Sequence, residues 1–195
     1  MPPPPPNLPL DDPALAQVRH TASLTPNTDP ALPAILYDLE HRLCLRLSHH
    51  NDLADLDEVL QVSRRQLEIT ASGDPDTCRI LSNLVNKLGE RFDRVGTLDD
   101  LDEGIRCMRR GLAIALVDGE MRAGMYNDLG NHLHRRYNRS EEVADLIEAL
   151  GAQKQAIQAT LNGSADMPRM LQDLWRKVDT VVGCLEGPSM GDLVH

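Results

Sequence analysis

The chain has 195 residues, enough for one ordinary domain or a short array of repeats with tails. Hydrophobic residues make up 41% and aromatics only 3%, so Leu, Ala, Ile and Val must fill the interior, which suits close-packed helices. The net charge of −10 argues against nucleic-acid binding, which needs a basic footprint to displace phosphate counterions, and against binding to an anionic membrane surface.

Taken in chain order, the first 28 residues read as a Pro-rich disordered or extended tail, with Pro2 to Pro6, Pro9, Pro13 and Pro26, and with a short helix between Asp11 and Val18. Met1 is followed by five prolines, without a basic or an apolar region, so no secretory signal is expected. The proline run lacks basic flanks and reads as a solvated tail rather than a ligand for a proline-binding domain. The longest apolar run, Leu112 to Val117, is too short to span a bilayer. Cys44, Cys78, Cys107 and Cys184 form no CxxC pair. Together these features predict a cytoplasmic protein with reduced structural thiols and no membrane partner.

From residue 29 onward the chain repeats itself with a gapless period of 45 residues. Leu39, Leu43 and Leu47 fall on Leu84, Leu88 and Phe92, and these on Leu129, Leu133 and Tyr137. Leu53 to Glu58 falls on Leu98 to Glu103, Arg64 and Arg65 on Arg109 and Arg110, and Asp29-Pro30 on Asp74-Pro75. The predicted repeats are 29–73, 74–118 and 119–163, with a partial fourth at 164–185 and a flexible tail at 186–195. Each repeat carries two helical patterns. Leu84, Leu88 and Phe92 lie four apart on one stripe, and Leu98, Leu101, Ile105, Met108 and Leu112 lie three and four apart on the next. Asp74-Pro75 reads as an N-cap with proline in the first turn, and Asp99, Asp100, Asp102 and Glu103 place negative charge at a helix start. The predicted helices are 30–48, 53–71, 75–94, 98–116, 120–138, 141–161 and 168–185, joined by short links. The fold expected is therefore all-α, an α-solenoid of antiparallel helix pairs.

The motifs Asn127-x-Leu-Gly-Asn-x-Leu133, Arg-Phe/Tyr-x-Arg at 91–94 and 136–139, and Asp100-Leu-Asp-Glu-x-Ile105 carry a family resemblance. Over residues 29–185 the chain resembles the long tetratricopeptide-like (TPR) repeats of fungal proteins, which often precede a caspase-like CHAT protease domain or stand in signalling arrays. The resemblance implies a right-handed stack whose first helices line a concave groove, and a non-catalytic scaffold that binds a partner protein or peptide there. Small residues are expected where helices cross: Gly130, Gly104, Ala149, Gly111 and Ala156 fit, whereas Glu40, Val85, Val59 and Gln66 depart, so the first repeat reads as looser or as a cap.

The candidate groove residues are Asn83, Asn86, Arg91, Asn127, Asn131 and Arg135. An Asn amide both donates to and accepts from a peptide backbone, although bonding to an adjacent helix is its more ordinary role. The repeated arginines Arg91, Arg94, Arg136 and Arg139 suit an acidic peptide, but pairing with the acidic starts of the following helices is the better reading in an acidic chain. Leu174, Trp175 and Val178 mark an open C-terminal surface. Such a surface predicts an assembly element, a homodimer through this end, or a truncated repeat region of a larger signalling protein.

No metal, cofactor or catalytic residue is expected. His132 and His134 lie two apart, about 200° around a helix, and cannot share an ion. His49-His50 sits in a predicted turn. Asp99 to Glu103 lacks the alternating ligands and glycine of a calcium loop. No phosphate loop or nucleophile elbow is present.

Overall fold

The computed structural model describes residues 12–71, 74, 76–114, 119–160 and 167–186; the proline run and residues 187–195 of the expected C-terminal tail lie outside them. The described residues form eight helices: α1 (Pro13–Leu24), α2 (Leu32–His50), α3 (Leu53–Ile69), α4 (Asp76–Val95), α5 (Leu98–Leu112), α6 (Gly119–Ser140), α7 (Val143–Ala159) and α8 (Met167–Glu186). They contain no strand. The chain divides into two compact units, Met1–Thr97 and Leu98–His195. In each, sequence neighbours pack on one another: α1 on α2, α2 on α3 and α3 on α4 in the first, and α5 on α6, α6 on α7 and α7 on α8 in the second.

The apolar stripes read from the sequence do the packing. Leu36, Leu39 and Leu43 of α2 form a core with Leu15 and Ala22 of α1 and with Val59 and Val62 of α3. Local punctuation stands just ahead of the helix starts. Asp74 Oδ1 accepts from the Asp76 N–H at 2.8 Å, and Asp29 Oδ1 from the Ala31 N–H at 2.8 Å, the same device 45 residues apart. The ends of the first helices also repeat. Asn51, Gly96 and Glu141, again 45 apart, adopt φ values of 55°, 76° and 57°. Their N–H groups donate to the carbonyls of Leu47, Phe92 and Tyr137 at 2.8, 2.7 and 2.7 Å, a left-handed stop that turns the chain back.

Two expectations need correction. The first 28 residues are not a tail throughout: α1 spans Pro13–Leu24, beyond the short helix expected to end at Val18. Asp12 caps it through the Ala14 N–H at 3.0 Å, Pro13 occupies its first turn, and Leu15 and Ala22, at i and i+7, are buried on one stripe. The 45-residue register includes it. Leu15 falls on Leu60 and Ile105, and Arg19 on Arg64 and Arg109. Arg19 chelates Glu58 at 2.6 and 2.7 Å, and Arg109 chelates Glu148 at 2.7 Å on both oxygens, each pair 39 residues apart. α1 is thus the second helix of a repeat. The second expectation concerns how the first full repeat, read as looser or as a cap for want of small residues, makes its helix crossing. Glu40 is only 6% exposed, and it accepts from Ser63 Oγ at 2.8 Å and Gln66 Nε2 at 3.2 Å, so a buried polar bridge replaces the small-residue crossing.

The small residues do matter in the second unit. A Cβ on Gly104 of α5 would lie 2.6 Å from Cδ2 and 2.8 Å from Nε2 of His132, whose ring is buried on α6. Helix propensity favours Gly104→Ala by about 1 kcal/mol, but the overlap forces a buried ring out of place. The expected net result is a loss of about 1–2 kcal/mol in urea denaturation. A gain in stability would show that His132 yields freely.

Candidate partner-binding surfaces

The repeated arginines close helix pairs. Arg46 chelates Asp55 in the first turn of α3, with Nε at 2.8 Å from Oδ2. Ninety residues on, Arg136 places Nε 2.7 Å and Nη2 2.6 Å from the oxygens of Asp145 in α7, and Nη1 2.5 Å from Asp102 of α5. The hydrogen bond to Asp145 leads in raising the Arg136 pKa. Arg91, expected in the groove, points Nη1 to Asp57 of α3 at 2.9 Å, the counterpart of the Arg136–Asp102 pair. Arg94 lies at the end of α4, with Nη1 3.3 Å from the Asn51 carbonyl.

In the first unit the structure brings Asn83 and Asn86 together with residues the sequence reading did not select. A cleft of about 490 Å³ is lined by Tyr37, His41 and Cys44 of α2, by Arg79, Asn83, Asn86 and Lys87 of α4, and by Glu40. Both walls use the spacing i, i+4, i+7: Tyr37, His41, Cys44 on one and Arg79, Asn83, Asn86 on the other. That matched spacing was the available signal. Asn83 and Asn86 are exposed, Tyr37 is 57% exposed, and the Arg79 guanidinium stacks on the Tyr37 ring at 5.5 Å from its centroid. Arg79 is also held by Asp76 at 3.2 Å and Lys87 by Glu90 at 2.8 Å. The Cys44 thiol is half-buried, and burial pushes its pKa up, away from the reactive thiolate.

Asn127 and Asn131 are placed differently. Asn127 is 3% exposed, and its Oδ1 accepts from Gln153 Nε2 of α7 at 3.0 Å. Asn131 Oδ1 accepts from Lys177 Nζ of α8 at 2.9 Å, and Lys177 also donates to Gln153 Oε1 at 3.0 Å. These amides therefore join α6, α7 and α8 rather than facing solvent as a pair. Burial lowers the Lys177 pKa to about 8, with Asp173 opposing the shift. Burial raises Asp128 to about 6, against the pull of Arg169 and Arg135. Arg135 is half-buried and acts on this carboxylate. His134 Nε2 lies 3.0 Å from Thr180 Oγ1 of α8, whereas His132 turns toward Gly104 of α5, so the two imidazoles serve different helices.

At the end of the second unit, Trp175 is 66% exposed, while Leu174 and Val178 are half-buried. Among the described residues no group of three His, Cys, Asp or Glu side chains is placed to hold a metal ion, and no helix is long and apolar enough to cross a membrane. Compared with models of known protein families and with curated proteins, the chain matches none.

Proposed function

We propose that the chain is a non-catalytic protein-interaction scaffold, an α-solenoid of TPR-like helix pairs that receives a peptide of a partner protein in the cleft between α2 and α4. The observation that carries this reading is the pair of facing walls in that cleft. Tyr37 supplies an exposed aromatic anchor, and Asn83 and Asn86 supply amides able to bond a peptide main chain. Asn127 and Asn131 support the scaffold by bonding helices, and the gripping role falls to the α4 amides.

The test uses a phage-displayed peptide library selected on the intact chain, followed by solution titration of the enriched peptides. In a Tyr37→Ala/Asn86→Ala variant their affinity is expected to fall at least about tenfold, the loss of one well-used anchor. Enriched peptides that bind wild type and variant equally would overturn the assignment of this cleft.

A further inference from the structure

α8 buries charge and exposes apolar surface. Asp173 and Lys177 are 5% and 0% exposed, whereas Leu171, Trp175 and Val182 are 43%, 66% and 44% exposed. With Val178 these residues stand at i, i+4, i+7 and i+11, a single stripe roughly 17 Å long. The 45-residue register identifies the stripe. Its counterpart on α6 is Tyr126, Gly130, Leu133 and Tyr137. A Cβ on Gly130 would lie 3.1 Å from the Ala149 carbonyl oxygen and 3.6 Å from the Ala152 Cβ, both on α7. The counterpart on α2 is Leu36, Glu40, Leu43 and Leu47, where Glu40 bonds Ser63 and Gln66 of α3. On both helices this stripe faces the second helix of the pair. On α8 it has no such helix among the described residues.

α1 is the reciprocal case, a second helix whose pair has no first helix among the described residues. The positions that α3 and α7 present to their partners, Ser63 and Gln66 on one and Ala149 and Gln153 on the other, fall on Val18, Thr21, Ala14 and again Val18 of α1. Around them Gln17 and Thr21 are exposed and Leu24 is 69% exposed.

We propose that the α8 stripe of one molecule docks on α1 of a second copy, head to tail, so that a complete helix pair forms across the junction. The packing would continue the α2–α3 type of interface already present within the chain, where the Trp175 position holds the long side chain of Glu40. Size supports the match: Trp175 stands where α2 has the smaller Glu40, and it meets Ala14 where α3 has the larger Val59. Charge permits it. By sequence α8 carries Arg169, Arg176 and Lys177 against Asp173, Asp179 and Glu186, and α1 with its cap carries Arg19 against Asp12, so neither helix brings a net charge to the contact in a chain of net charge −10. Because the two faces differ, the contact is heterologous and does not close on itself, so assembly proceeds past the dimer.

Sedimentation equilibrium on the whole chain tests this, with circular dichroism confirming that each variant is folded. The wild type should show an average mass that rises past the dimer with concentration. Trp175→Glu alone, and Gln17→Glu/Leu24→Glu alone, alter only exposed side chains and should each be monomeric. Mixed in equal amounts, these two variants should give a one-to-one dimer, since each retains one intact face. Three results would overturn the proposal: a wild-type monomer at all concentrations, a wild-type mass that stops at the dimer and ignores the α1 substitutions, or assembly that survives Trp175→Glu. The second of these would assign the stripe to two-fold α8–α8 pairing. None of these readouts involves the α2–α4 cleft.

Discussion

Arg136→Ala should destabilise the second unit by about 2–4 kcal/mol, read as a lower urea midpoint with an unchanged slope. Arg136 gives Asp145 two parallel hydrogen bonds at 2.6 and 2.7 Å, and Asp145 is 6% exposed. Removing the guanidinium strands a carboxylate that water reaches poorly, and the cost of an unpaired buried charge exceeds the net worth of the pair. The third bond, to Asp102, goes to a side chain 39% exposed and contributes far less. Asp102→Ala should therefore cost under about 1 kcal/mol. The double variant Arg136→Ala/Asp145→Ala should recover part of the single-variant loss, because the stranded charge is gone. Equal losses from Arg136→Ala and Asp102→Ala would show that burial of Asp145 is not what matters.

The second unit is also expected to be less stable near neutrality than on either side of it, through Asp128 and Lys177. Asp128 titrates at about 6 in the fold, above the ordinary carboxylate value of about 3.9, so the folded state holds its proton longer. The stability it contributes is present below about pH 4 and is lost as pH rises through 6. Lys177 titrates at about 8, below its ordinary value of about 10.4. Its contribution is present above about pH 10.4 and is lost as pH falls through 8. His134 is depressed by burial and by Lys177 and Arg176, so it opposes Asp128 at the acid end. A comparison with Asp128→Asn isolates the acid limb. The stability difference between wild type and variant should change by about 2 kcal/mol between pH 4 and 7, the shift of about two pKa units discounted for solvent screening. Parallel stability curves would show that Asp128 is well hydrated in the fold. Lys177→Met should likewise abolish the rise above pH 8.

These two predictions differ in how much of them the sequence contains. The Arg136 contact does follow from it. Arg136 recurs at the period of Arg46 and Arg91, and Asp145 opens the next helix as Asp55 and Asp100 do, so the pairing of Arg136 with the acidic start of the following helix was legible, whereas Arg91 meets Asp57 of the preceding helix. Periodicity and capping are local properties, set by residues within a turn or two of each other, and for the same reason the helix order, seven of the eight helices and the first part of α1 were readable.

What the sequence did not contain was which polar side chains end up facing water. Asn86 and Asn131 occupy the same repeat position, yet Asn86 lines an open cleft while Asn131 accepts from Lys177, 46 residues away on α8. No spacing rule separates them, because the difference depends on what α8 brings to the site. The same holds for α1 beyond the short helix expected to end at Val18, and for its place as the second helix of a repeat, which the Arg19–Glu58 contact reveals. It holds too for the exposed apolar stripe of α8, since amphipathicity gives a helix two faces and only the packing of Asp173 and Lys177 against α6 and α7 decides which is buried. The chain's own sequence determined the helices, their period and their ends. The tertiary structure decided which faces were left open, because burial is a property of neighbours distant in sequence.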